Sequence, residues 1–377
     1  MESIASTKKF FNYRNIVFDK KKMPNKMSQL KKNVVVWASF FLLLVVIFLV
    51  WIWNISYAEY FDEATSKLAF FSIEESLKLI FTSQFLQLKK EYINLQQTVY
   101  VSTASILSGI ALAFAGCITQ SLTRNPLADA STLGIVHASV FMVVLAFSRG
   151  LITEAQLYGF AFIGGIISAV MLFALVFGGR NKVGYIKMTL AGLAIGVFFN
   201  TITYYIRVED GYSAKINLLF VFGGAENIIK AYEYTDFFRI LWISTILIAI
   251  GVITSIIISH KLTIIEVGDD KAKNLGTNVI TIKVVSIIAT MFLIPPAILL
   301  VGNVAFVGLF APHIIRKVFS IRDYRLVMPL SAALGAIITS VGVVLFRETT
   351  YINSSIWMTI IGAPVLAYVG WIHWEKR

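Results

Sequence analysis

The run VVVWASFFLLLVVIFLVWIW, residues 34–53, holds no charged residue, and a long polar segment follows it. About 20 helical residues rising about 1.5 Å each reach across the roughly 30 Å hydrocarbon core of a bilayer. Directly before it stand Lys8, Lys9, Arg14, Lys20, Lys21, Lys22, Lys26, Lys31 and Lys32. The run ends in two tryptophans and lacks a small-residue cleavage site, so it reads as a retained first span rather than a signal peptide. The basic tail, residues 1–33, is then cytoplasmic. Much of the net charge of +12 lies in this tail. That placement argues for topology and an anionic lipid surface as the tail's partners, and against nucleic acid.

The rest of the chain follows the same chemistry. Apolar residues make up 57% of the 377 and charged residues only 14%, with a mean hydropathy of +0.77. A soluble chain carries about a quarter charged residues, so the composition excludes a large soluble domain. Ten spans are expected, near 34–53, 97–118, 132–148, 157–177, 186–206, 237–259, 281–301, 303–316, 327–346 and 354–373. The fold class is an all-α polytopic membrane protein, with residues 34–377 as one transmembrane domain. Both termini are then cytoplasmic, and about 23 of the 33 Lys and Arg fall on that side.

Two polar segments face outward in this topology. The loop at 54–96 carries Glu59, Asp62, Glu63, Glu74, Glu75 and Glu91, and within it SIEESLKLIF has helical spacing suited to a surface helix. The segment after the fifth span holds a short apolar piece, 216–222, ended by Gly223 and Gly224. It is too short to cross and fits a re-entrant or mouth-lining helix.

The spans place no Asp or Glu near their centres. Proton- and sodium-coupled transporters need ionisable groups there, so uphill transport would draw its energy from a partner. No nucleotide-binding loop, catalytic triad spacing or metal-ligand cluster is present, and His137, His260, His313 and His373 are scattered. Cys117 is the only cysteine and reads as a packing residue. Gly109, Ala113 and Gly116 share one side of the second span, and Gly192 and Gly196 form a small-xxx-small pair in the fifth.

Two cytoplasmic loops stand out. Between spans six and seven, in 260–280, HKLTIIEVGDDKAKNLGTNV offers about two helical turns from Asp269 to Leu275, ended by Gly276. A compact amphipathic turn at the membrane's inner face is a shape that docks into a groove on a soluble partner. Between spans two and three, QSLTRNPLADASTLGI breaks the apolar pattern at 120–135. Pro126 ends one helix there, and Asp129, Ser131 and Thr132 can cap the next, which restarts near Leu133.

Together these segments resemble a known family. GIALAFAGCITQSLTRNPLADASTLGI, VGDDKAKNLGTNV, VGNVAFVGLFAPHIIRKVFSIRDYRLVMPLSAALGA and the closing IIGAPVLAYV resemble, in order and spacing, the signatures of FecCD-like permeases. Those permeases import iron-siderophores, haem and cobalamin, and the resemblance covers residues from about 98 to the end. It implies a type II permease fold of the ATP-binding cassette class and no enzymatic chemistry in this chain. It also implies a second permease, identical or paralogous, two cytosolic ATPases that bind ATP and Mg, and an extracytoplasmic substrate-binding protein. No cofactor would be bound by the chain itself. By the same resemblance, Glu266, Gly268, Asp269, Ala272, Leu275 and Gly276 belong to the segment that contacts the ATPase. Gln120, Arg124, Asn125, Pro126, Leu127, Ala128 and Gly134 form the motif at the inner end of the pathway.

The chain departs from the family pattern in three places. The arginines that open the second span in the family are absent, since Thr98, Val99, Tyr100 and Val101 stand there. Arg347 keeps the arginine that closes the ninth span, and with Lys89 and Lys90 is the candidate contact for the binding protein. Ala130 replaces a proline, and His137 stands where small residues are usual. The cargo implied is an iron chelate, siderophore or haem, with cobalamin as the alternative. A secondary transporter is the alternative from another class.

Overall fold

The computed structural model describes residues 26–56, 59–62, 67–70, 72–80, 93–177, 185–209, 220–226, 228, 237–349 and 352–375. Most of the basic tail, Lys89, Lys90 and most of the 216–222 piece lie outside the described residues. The chain divides into two compact units, Met1–Leu42 and Leu43–Arg377.

The apolar runs become helices: α1 (Lys26–Ile55), α3 (Ile93–Thr123), α4 (Ile135–Ser148), α5 (Glu154–Phe177), α6 (Tyr185–Glu209) and α7 (Phe237–Val267). A six-residue helix, α8 (Asp269–Asn274), precedes α9 (Val279–Val301), α10 (Val307–Phe319), α11 (Tyr324–Thr349) and α12 (Ser354–Glu375). Among the described residues, seven are long and apolar enough to cross a membrane: α1, α3, α5, α6, α7, α9 and α11. The shorter α4 and α10, with α12, complete the ten expected from the sequence. The 54–96 segment holds the expected short helix, α2 (Ile73–Ile80), and also an antiparallel pair that sequence reading missed, β1 (Glu59–Asp62) with β2 (Lys67–Phe70).

Side-chain and backbone bonds define two ends of the larger unit. At one end the last turn of α3 meets the last turn of α7, where Ser121 Oγ donates to Leu262 O at 2.9 Å. There too the Tyr324 amide of α11 donates to Thr263 Oγ1 of α7 at 3.0 Å. At the other end Asn54 Nδ2 of α1 donates to Ser340 O of α11 at 3.2 Å. Gly224 N donates to Val301 O at 2.7 Å, closing the segment after α6 on the end of α9.

α3 is the central helix. Its apolar window is 78% buried, against 33% for α6 and for α7, which therefore turn apolar faces outward. Ala and Gly make α3 slim enough to be surrounded. A Cβ on Gly109 would overlap the Gly335 carbonyl of α11, and one on Gly116 would overlap the Gly308 backbone of α10. With so little side chain between them, dispersion and backbone contact hold these helices, as expected where lipid removes the hydrophobic drive. Cys117 is buried beside Gly116.

The eighth crossing differs from a plain span. Gly302–Phe306 is not helical, Phe306 sits at φ 70°, and only then does α10 begin. Irregular backbone at membrane depth needs protein around it, and Phe220 O accepts from Asn303 N at 2.9 Å. The sixth span is longer than expected, because α7 runs on to Val267. The first third of the 260–280 loop is therefore helix.

Candidate coupling site

The break in RNPLA is built from backbone bonds. α3 closes with the Arg124 amide donating to Ser121 O at 3.3 Å and the Asn125 amide to Gln120 O at 3.2 Å. That is the paired closure in which glycine is usual at the left-handed position, yet Arg124 occupies it at φ 49°. Asn125 Oδ1 then accepts from Leu127 N at 3.0 Å, and Ala128 N donates to Asn125 O at 3.0 Å. Gln120 Nε2 donates to the carbonyls of Ala128 at 3.1 Å and Leu309 at 3.3 Å, tying the turn to α10.

The capping residues act one step earlier than expected. Asp129 and Thr132 form a reciprocal capping box on a short 3-10 turn, Ala130–Leu133, rather than on the α-helix. Gly134, at φ 80°, reverses the chain and α4 starts at Ile135. Burial pushes the Asp129 carboxyl above its ordinary range, against the pull of the Ser131 hydroxyl and the amides of Ala130, Ser131 and Leu309. Asp129→Asn keeps an acceptor and removes the buried charge, so its unfolding temperature is expected to match or exceed wild type. Asp129→Ala is expected to cost about 1–2 kcal/mol, read in the same thermal unfolding series.

The segment after α7 forms the second half of the site. Gly268 sits at φ 141° and Gly276 at φ 75°, conformations that L side chains rarely adopt. Between them lies α8, shorter than the two turns expected and capped by Leu275. Ala272 is fully buried and its carbonyl accepts from Thr277 N at 2.9 Å. Asn278 Oδ1 accepts from Thr281 N at 3.2 Å and caps α9. Leu275 is 70% exposed, and Asp270, Lys271, Lys273 and Asn274 are exposed beside it.

The residues expected to contact an ATPase therefore divide. Leu275 and Gly276 face out. Ala272 anchors the turn, and Glu266 turns inward, close to Arg316, Arg322, Tyr324 and Arg124. Arg316 Nη2 donates to Tyr324 Oη at 2.6 Å, so α7, α10 and α11 share one polar cluster. Asp269 also turns inward. Its carboxylate pairs with Arg124 of the RNPLA turn through one oxygen and with Lys283 of α9 at 2.8 Å through the other. Arg124 Nε donates to Ile265 O at 3.2 Å. The structure thus brings the RNPLA and α8 motifs together.

Lys283, Arg316 and Tyr324 were not singled out from sequence. Lys283 did leave a signal, a lone cation in the otherwise uncharged run VITIKVVSII.

At the opposite end Arg347 Nη1 lies 3.4 Å from Thr98 Oγ1, so it meets the position where the family's first arginine is missing. Glu226, also unanticipated, accepts from Ser354 N at 2.7 Å and Ser354 Oγ at 2.8 Å, capping α12. On α6 a cavity of about 400 Å³ is lined by Asn200, Thr201, Thr203, Tyr204 and Val221. His137 does not reach it, since its ring packs against Gly196. Among the described residues no group of three or more His, Cys, Asp and Glu is placed to hold a metal ion.

Residues 64–371 match the model of the FecCD transport family. The chain belongs to that family. This FecCD chain is 31% identical over 239 residues to the iron(3+)-hydroxamate import system permease protein FhuB of Bacillus subtilis, a match covering 63% of the chain and 59% of that protein. It is 30% identical over 272 residues to the Fe(3+)-citrate import system permease protein YfmD of the same organism, covering 70% and 77%. The structure resembles that of a metal-chelate type ABC transporter in an inward-facing conformation, with a TM-score of 0.70 at 17% identity, covering 89% of the chain and 99% of the other. The FecCD member therefore has the permease fold of that class, assembled from about ten membrane helices. Its β1–β2 pair begins before the matched residues, and α1 lies wholly outside them.

Proposed function

We propose that this chain is the permease subunit of an ATP-binding cassette importer that carries an iron chelate, a siderophore or haem, across the cell membrane. Two copies, or this chain and a paralogue, would enclose the pathway. Two cytosolic ATPases, holding ATP and Mg, would dock beneath. An extracytoplasmic binding protein would deliver cargo at the end that carries Arg347 and Thr98. The end carrying RNPLA and α8 is then cytoplasmic, as the Lys and Arg distribution favours.

The observation that carries this reading is the exposed, rigidly anchored turn around Leu275. Its two special glycines, the buried Ala272 and the paired Asp269 fix its shape, while an apolar side chain stands out into the aqueous phase. Ordering costs are already met in such a turn, which suits it to receive force from a partner. The absence of acidic residues at span centres supports an external energy source. The outward faces of α6 and the cavity beside Tyr204 supply amide and hydroxyl groups suited to a chelate whose iron keeps its own ligands.

Deletion of the gene tests the cargo. Growth with a ferric hydroxamate, ferric citrate or haem as sole iron source is expected to fail for at least one chelate and to return on complementation. Undiminished growth on all three, with loss of cobalamin uptake instead, would select the alternative cargo.

A further inference from the structure

The ion triad at Asp269 has a geometry that a simple surface pair lacks. Asp269 is ion-paired at once to two cations from two other elements, Arg124 from the turn after α3 and Lys283 from the first turns of α9. The Lys283 side chain is only 6% exposed, so it sits in protein with Asp269 as its counter-charge. Arg124 is held a second time by the Ile265 carbonyl and is fixed at the left-handed close of α3. A partly buried, doubly bonded pair of this kind is directional, unlike an exposed ion pair.

The turn that Arg124 heads leads on to α6. A Cβ on Gly192 of α6 would overlap the Thr132 carbonyl, and one on Gly134 would lie 2.7 Å from Ile195 Cγ2. The 3-10 turn and α6 therefore touch backbone to backbone at Thr132 and Gly192, with the Ile195 side chain packed against Gly134 beside that contact. Beyond this contact α6 exposes Leu190, Leu193, Val197 and Tyr204 and lines the cavity.

We propose that Asp269 is a positioning residue whose bonds to Arg124 and Lys283 lock α8 to the turn after α3, so that displacement of α8 by a docked partner is delivered through that turn to α6. The inference rests on α8 being the ATPase-docking element. Close packing makes such contacts switch between discrete arrangements rather than yield gradually. Spatial continuity alone does not establish coupling, so the test must measure it.

The buried Cys117 leaves Thr201→Cys as a single exposed thiol on α6. The complex would be isolated through an affinity-tagged ATPase encoded beside the gene, so that only assembled complexes are read. Labelling of the new thiol by an impermeant maleimide is then compared without nucleotide and after trapping with ATP and vanadate. In the otherwise wild-type chain the two rates should differ by about fivefold or more. Asp269→Asn and Arg124→Gln should each bring the ratio close to one, the double variant should be no worse than either, and Asp269→Glu should retain most of the response. A wild-type ratio in Asp269→Asn complexes, or single effects that multiply in the double variant, would overturn the lock and leave the importer reading standing. Variants that merely assemble poorly but respond normally once assembled would overturn it equally. Failure of the wild-type chain to assemble with any ATPase, or to respond to nucleotide, would remove both readings together.

Discussion

Gly116→Ala will loosen the bundle at its centre. The added methyl would be driven into the backbone of Gly308, and neither helix has a side chain that can move aside. Overpacking in a close-packed core costs about 1–3 kcal/mol where side chains can adjust, and here the helices themselves must separate. The expected loss is at the top of that range or beyond. Cys117, the only thiol and the next residue, reports it directly. In detergent, the temperature at which Cys117 becomes reactive to a fluorogenic maleimide should fall by about 5 °C or more. Gly159→Ala is the control: nothing lies within 4 Å of its Cβ, and alanine favours helix over glycine by up to about 1 kcal/mol. Its transition should hold or rise. Equal transitions for the two variants would contradict the contact between α3 and α10.

Leu275→Asp will separate transport from folding. The side chain is exposed and caps α8 through its backbone, so the substitution removes no buried contact within the chain. On the proposed docking face it would bury a carboxylate in a partner's apolar groove, costing several kcal/mol. ATP-driven uptake should fall by about tenfold or more, with less ATPase recovered alongside the chain. The Cys117 transition should stay at its wild-type temperature. Wild-type uptake in this variant would show that the ATPase docks elsewhere.

The features legible in sequence were those set by local periodicity. Apolar runs announced the helices because a membrane leaves few alternatives for backbone. RNPLA and VGDDKAKNLG stood out as polar interruptions, and Gly276 marked the end of α8. Long-range pairing was not legible. Arg124 and Asp269 are 145 residues apart, Glu226 and Ser354 128 apart, and nothing in either local pattern names its partner. The sequence placed Arg124 and Asp269 in two separate motifs; packing of α3 against α7 makes them one site. The β1–β2 pair was missed because EYFD and KLAF are too short to show alternation. The eighth crossing was assigned as a span, and its irregular entry at Gly302–Phe306 depends on neighbours that only the fold supplies.

On the function proposed above, ATP hydrolysed on a partner drives this permease. The most direct measurement reconstitutes the chain with its partner permease, ATPase and binding protein in vesicles and follows entry of a radiolabelled ferric chelate. Each energy source is then supplied alone: ATP on the ATPase side, a proton gradient, or a sodium gradient. Accumulation is expected with ATP and none with either gradient. Accumulation by the permease alone, driven by an ion gradient without ATP, would contradict it.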